Sequence, residues 1–200
     1  MYRTVVFDLD GTLLNTLTDL ADAGNRLCQK YGWPTQERQA YRYLVGNGIP
    51  KLVERLAPAD QRTPAVLEAA LADFKRDYGQ HLRDTTAPYP GIPEMLAKLK
   101  ANGVQLAVFS NKADALAKEV VKDYFGTQYF TIVRGQMTGV APKPAAEGTN
   151  ALLQALHADP ASTLYVGDSN VDVETAHNAN LPCCGAVWGF CLLYTSDAAD

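Results

Sequence analysis

The 200-residue chain is 47% apolar and 20% charged with a net charge of −4, the composition of an ordinary soluble globular protein of one or two domains. The negative balance argues against a general nucleic-acid binder, and no stretch approaches the roughly 20 apolar residues that span a bilayer. No Lys or Arg follows Lys143, so cationic groups for an anionic substrate must come from the N-terminal two-thirds.

The first element is "TVVFDLDGTLL", Thr4–Leu14. Its apolar run, Val5 to Phe7, is too short for a signal peptide and reads as a buried strand. If the strand continues, Asp8 and Asp10 point to one face. Two carboxylates held together raise each other's pKa, and a cation relieves them. A hard ion such as Mg²⁺ suits carboxylate and carbonyl oxygens. Gly11 permits a sharp turn and Thr12 adds a hydroxyl. The plainer reading, a strand entering a common Asp-Gly turn, is weakened by the apolar run and the second aspartate.

Helical spacing follows at Leu17, Leu20, Ala21, Leu27, Cys28 and Tyr31. Thr16 and Asp19 form an expected capping box, and Gly32 and Pro34 end the helix. Further helices are expected in "IPKLVERLA", "PAVLEAALADFKRDYGQHL" and "GIPEMLAKLKANG". Then "VQLAVFSN" repeats the pattern of a short apolar run ending in polar residues, Ser110 and Asn111. Helix "KADALAKEVVKDYF", strand "YFTIVRG", helix "AAEGTNALLQALH", strand "STLYVGD", helix "VDVETAHNAN" and strand "CCGAVWG" complete the series. Cys28, Cys183, Cys184 and Cys191 show no metal-ligand spacing and predict reduced thiols in a cytoplasmic protein.

Strands alternating with helices imply an α/β fold with a doubly wound, Rossmann-like parallel sheet. Ligands bind beyond the carboxyl ends of such strands, where Asp8 and Asp10, Ser110 and Asn111, and Asp168 all fall. The stretch between Asp10 and Ser110 far exceeds the dozen or so residues of a crossover, and its surplus is helical. The expected organisation is a core of residues 1–14 and 86–190 with an inserted all-helical cap, residues 15–85, placed as a lid. Trp33, Tyr41 and Tyr43 are expected in the cap core. The loop Gly46-Asn47-Gly48 is either a helix–helix turn or a substrate contact. Lys51 and Lys112 are candidates for a substrate carboxylate. His81, His157 and His177 are scattered and carry no ligand spacing.

These residues resemble the haloacid dehalogenase superfamily of phosphohydrolases over Tyr2 to about Gly189. "DLDGT", "FSN", Lys143-Pro144 and "GDSNVD" correspond in order to its four motifs. Within it, "VGNGIPKLVERL", "HLRDTTAPYPGIPEML" and "VFSNK" are most similar to the phosphoglycolate phosphatases. The resemblance implies Mg²⁺-dependent hydrolysis of a small phosphate ester through an aspartyl-phosphate. Asp8 would be the nucleophile and Asp10 the acid and base. Mg²⁺ would be held by Asp8, the main-chain carbonyl of Asp10, and Asp168, with Gly167 allowing close backbone approach. Thr12, Ser110, Asn111 and Lys143 would bind the phosphoryl group, and Asp172 would brace Asp168 or Lys143 or hold a metal-bound water. Read without the resemblance, "SN" is a turn, Asp168 a helix N-cap and Lys143 a solvated lysine. Other implied possibilities are a sugar phosphomutase, hydrolysis of another phosphate ester or pyrophosphate, or a non-catalytic phosphate binder. The implied partner is a small molecule, with no nucleic acid and no membrane, and the chain a monomer or homodimer.

The chain departs from the family pattern at Asn15, where relatives often have Asp, and at Pro142, just ahead of Lys143. It departs most in "CLLYTSDAAD", residues 191–200, which resembles translated sequencing-adapter read-through. The expectation is that the native chain continued after Phe190 into a last strand and helix.

Overall fold

In the computed structural model, residues 1–190 are described; the segment Cys191–Asp200, read above as foreign, lies outside them. The described residues form two compact units. One takes Met1–Asn15 and the chain from Pro88 onward, and the other is Thr16–Ala87.

The first unit is built on a five-stranded parallel sheet. Its strands are Thr4–Phe7 (β1), Gln105–Ala113 (β4), Phe130–Gln136 (β5), Thr163–Gly167 (β6) and Cys183–Gly185 (β7), in the order β5-β4-β1-β6-β7. A separate two-stranded ribbon joins Leu14–Asn15 (β2) and Ala87–Pro88 (β3). All four residues of β1 are buried, as a central parallel strand covered on both faces requires. Val5 is in register with Leu106 on one side and Leu164 on the other.

Helices Ile92–Ala101 (α5), Asp114–Phe125 (α6), Ala146–Leu156 (α7) and Asn170–Asn178 (α8) fill the connections. Side chains alternate across the sheet. Val6, Ala107 and Tyr165 therefore share one face and bury against Leu152, Leu153 and Leu156 of α7 and Ala176 of α8. The strand order reverses direction between β1 and β6, and that switch point is where the carboxyl ends of an open sheet leave a crevice.

The second unit is helical: Leu17–Tyr31 (α1), Tyr41–Leu44 (α2), Ile49–Leu56 (α3) and Pro64–Gln80 (α4). The apolar stripe of α1 packs on α4, burying Leu20, Leu27, Phe74 and Tyr78. Tyr41 is fully buried and its hydroxyl donates to Asn25 Oδ1 at 3.0 Å. Gly24 makes room for it, since a Cβ there would strike the Tyr41 hydroxyl. Trp33 is buried as expected, but Tyr43 is 68% exposed. Two residues along a single helical turn point to opposite sides, so Tyr41 and Tyr43 cannot share the core.

The expected capping box at α1 does not form. Thr16 has φ −102° and ψ 3°, not the extended conformation of an N-cap, and its side chain caps nothing. Asp19 is drawn elsewhere. It accepts four hydrogen bonds, from the amides of Thr85 and Thr86 at 2.9 Å each and from their hydroxyls at 2.5 and 2.7 Å. Asp19 thus ties the start of the helical unit to its last residues. In the Gly46–Gly48 loop both glycines have positive φ, 102° and 83°. Arg55 holds the loop by donating to Leu44 O at 2.7 Å and Asn47 Oδ1 at 2.8 Å.

Candidate active site

The strand does not carry Asp8 and Asp10 to one face, as the spacing predicted. β1 ends at Phe7. Asp8 adds one ladder bond, its amide donating to Val166 O at 2.8 Å, and the chain then turns. The Leu9 carbonyl accepts from the amides of Thr12, Leu13 and Leu14, and Gly11 takes φ 94°. A buried apolar residue, Leu9, anchors this turn between the two carboxylates. They separate to different lysines.

Asp8 meets Lys143. The ammonium lies 2.8 Å from Asp8 Oδ1 and 2.8 Å from Asp172 Oδ1. It also reaches Tyr165 Oη at 3.2 Å and Phe109 O at 3.3 Å, and sits 5.8 and 6.0 Å from the Tyr165 and Phe109 ring centres. Lys143 is therefore not a solvated lysine: its side chain is 2% exposed. Burial works against its charge, but Asp172 and Asp8 outweigh burial and hold its pKa well above the ordinary lysine value. Burial, aided by the Asp172 and Asp168 charges, pushes the Asp8 carboxyl up to about 8 against the pull of Lys143. The Tyr165 hydroxyl is also pushed well up, chiefly by burial.

Asp172 is the third residue of α8. It shares a capping box with Ser169, which donates to Asp172 Oδ2 through its hydroxyl at 2.6 Å and its amide at 3.1 Å. The N-cap is thus Ser169, not Asp168. Of the roles expected for Asp172, the contact present is the one to Lys143. Gly167 makes this approach possible, because a Cβ there would strike Asp172.

Asp168 is left facing the turn that follows β1. Thr12 Oγ1 donates to its Oδ1 at 3.3 Å, and the Phe190 amide to its Oδ2 at 2.8 Å. Oxygens of Asp8, Asp168 and Asp172 lie within 4.8 Å of one another, all three residues buried. Asp8 Oδ1 accepts no hydrogen bond despite its burial; the Lys143 contact there is an ion pair without hydrogen-bond geometry. Three buried carboxylates whose oxygens lie this close offer the hard oxygen ligands that suit a divalent cation such as Mg²⁺. Asp8 and Asp168 have the more available oxygens, since Asp172 is engaged by Lys143 and Ser169.

Asp10 stands outside this cluster. Its carboxylate is 3.2 Å from the Lys112 ammonium, whose side chain is 2% exposed. Lys112 is thus committed to Asp10 rather than standing open to a substrate carboxylate. Lys51, the other such candidate, pairs with Glu54 at 2.8 Å on an exposed helix face. Ser110 is buried, and its hydroxyl oxygen accepts from the Lys112 amide at 3.2 Å. The Asn111 side chain pairs with the main chain of Lys143: Oδ1 accepts from Lys143 N at 2.8 Å, and Nδ2 donates to Lys143 O at 3.3 Å. Sequence reasoning missed this pairing, along with Tyr165, Ser169, Trp188 and Phe190. Only Ser169 carried a signal, as a Ser three residues before an Asp at a helix start.

The site and fold define the class. The sequence model of the haloacid dehalogenase-like hydrolases matches residues 5–186, and the chain belongs to that family. Within it the chain is most similar to phosphoglycolate phosphatases. It is 30% identical to the phosphoglycolate phosphatase of Thiobacillus denitrificans, over 94% of this chain and 84% of the relative. It is 32% identical to that of Neisseria meningitidis, over 94% and 81%. A solved structure from Lactobacillus delbrueckii subsp. bulgaricus, described as a candidate phosphoglycolate phosphatase, superposes with TM-score 0.90 at 27% identity. That match covers 96% of this chain and 89% of the other. No helix among the described residues is long and apolar enough to cross a membrane.

Proposed function

We propose that the protein hydrolyses a small phosphate monoester in a Mg²⁺-dependent reaction through an aspartyl-phosphate on Asp8, with 2-phosphoglycolate the foremost substrate. The observation that carries this reading is the buried cluster of Asp8, Asp168 and Asp172 oxygens with the Lys143 ammonium 2.8 Å from Asp8 Oδ1. A carboxylate held beside an ammonium and two further carboxylates suits cation-assisted attack on a phosphoryl group. The names of the relatives support 2-phosphoglycolate as that substrate.

Each residue then has a task. Asp8 attacks phosphorus, and the ester oxygen leaves with a proton from Asp10. Lys112 fixes the Asp10 side chain for that transfer. Asp10 next takes a proton from the water that cleaves the aspartyl-phosphate, freeing Asp8. Lys143 neutralises charge gathering on the phosphoryl oxygens, and Asp172 and Tyr165 hold its ammonium in place. Ser110 and Thr12 offer hydroxyls to those oxygens, and Asn111 its main-chain N–H. When bound, Mg²⁺ supplies charge neutralisation at the phosphoryl oxygens and at the crowded carboxylates; Asp8, Asp168 and the Asp10 carbonyl would hold it, with Gly167 leaving room for Asp172 behind them.

The test is phosphate release from a panel holding 2-phosphoglycolate, glucose 1-phosphate, glucose 6-phosphate, pyrophosphate and p-nitrophenyl phosphate, with Mg²⁺ and with chelator. Release from 2-phosphoglycolate ahead of the others, only with Mg²⁺, is expected. Interconversion of the glucose phosphates without release would replace this reading with a mutase, and no turnover of any ester would replace it with a binding protein.

A further inference from the structure

The Asp168 carboxylate is gripped from a direction that none of the four motifs supplies. Beyond β7 the chain passes through Val187, Trp188, Gly189 and Phe190. The Phe190 amide donates to Asp168 Oδ2 at 2.8 Å. The Trp188 indole N–H donates to Thr12 O at 3.0 Å, and the hydroxyl of that same Thr12 donates to Asp168 Oδ1 at 3.3 Å. The Trp188 ring lies 6.5 Å from that of Tyr89, tilted by 57°.

Two glycines close the arrangement. A Cβ on Gly11 would strike the Asp168 carboxylate from one loop, and a Cβ on Gly189 would strike it from the other. Gly11 also needs its positive φ, 94°, for the turn, whereas Gly189 is absent from the positive-φ positions. What demands glycine at 189 is therefore the neighbouring carboxylate and not the backbone.

We propose that Trp188, Gly189 and Phe190 form a positioning clamp that sets the Asp168 carboxylate toward Asp8 for cation binding, Trp188 acting by tying the nucleophile loop at Thr12 to this segment. The proposal rests on the reading of Asp8 and Asp168 as cation ligands. Groups that orient a ligating carboxylate typically alter metal affinity by about 10–100-fold when lost. Trp188 acts through its bond to Thr12 O, so it is a positioning residue.

The experiment measures Mg²⁺ affinity directly, by calorimetric titration of the full chain with Mg²⁺ alone, without substrate. Trp188→Phe keeps an aromatic ring, though a smaller one, and removes the N–H. Gly189→Ala adds the Cβ that meets Asp168. Both are expected to weaken Mg²⁺ binding about tenfold, while their melting temperatures in chelator stay within a few degrees of the parent. Val187→Ala, a change at a neighbouring residue that is 74% exposed, should leave affinity unaltered. A loss under threefold in either clamp variant, or an equal loss in Val187→Ala, overturns the clamp. If Trp188→Phe does not fold, Gly189→Ala alone decides. A parent chain that binds no Mg²⁺ overturns the ligand reading itself, a different result from a parent that binds and variants that bind equally well.

Discussion

Replacing Lys143 with Met removes one buried positive charge and leaves two carboxylates facing each other. Both ion pairs are 2.8 Å long, and the Lys143, Asp172 and Asp8 side chains are 2%, 1% and 11% exposed. Solvent cannot screen what remains. Breaking a buried pair by deleting one partner costs about 3–5 kcal/mol. In a chain this size each kcal/mol moves the melting temperature by about 2–4 °C, so the expected fall is roughly 6–20 °C. The pH dependence carries a sign. The Asp8 carboxyl is already raised from 3.8 to about 8, and without the ammonium it rises further. A folded state that holds protons the unfolded chain has released loses stability as pH climbs from about 4 through 8. Below about 8 parent and variant both keep that proton when folded and lose stability in parallel, so the deficit of Lys143→Met should be nearly constant from pH 5 to 7 and widen above pH 8, where the parent ionises Asp8 beside the ammonium and the variant does not. The assay is thermal melting across that range in chelator, so that no divalent cation stands in for the ammonium. Adding Asp172→Asn should recover part of the loss, because it removes the carboxylate charge that is left without its ammonium. A deficit below 2 °C, or one that narrows as pH rises from 7 to 9.5, would refute the reasoning.

Asp8→Asn should reduce phosphate release by at least ~10³-fold without lowering the melting temperature at pH 8, since it neutralises the carboxylate that burial disfavours; near-normal turnover would remove Asp8 as nucleophile. Asp19→Ala should destabilise the helical unit by about 2–4 kcal/mol, from four donors left without an acceptor. Hydrogen exchange at the Thr85 and Thr86 amides reads this directly, and unchanged protection there would show that Asp19 ties nothing.

Much of this was legible before any coordinates. Short apolar runs ending in Asp8, Ser110 and Asp168 mark β1, β4 and β6, because a parallel strand buried on both faces needs continuous apolar residues. The polar residues follow where burial stops. Asp172 was legible through its spacing, since one early turn of α8 returns it toward the site. What stayed hidden depended on contacts between residues remote in sequence. No local pattern shows that Asp19 would leave its own helix end for Thr85 and Thr86. None shows that Lys112 would turn inward to Asp10, or that Tyr165, a strand residue by every local sign, would put its hydroxyl against Lys143. The same-face placement of Asp8 and Asp10 held only if the strand continued: alternation applies within a strand, and β1 stops at Phe7.

The pairing of Asn111 with Lys143 has a consequence for how this sequence can drift. A carboxamide one methylene from the backbone offers a donor and an acceptor side by side, and here it takes both the N–H and the C=O of a single residue, as a neighbouring strand would. Asp would keep the acceptor and lose the donor, Ser would fall short, and Gln would overreach by a carbon. The loop bearing the lysine is thus docked by a two-point match that asparagine alone completes at that length, and the position is locked to one letter although its side chain performs no chemistry.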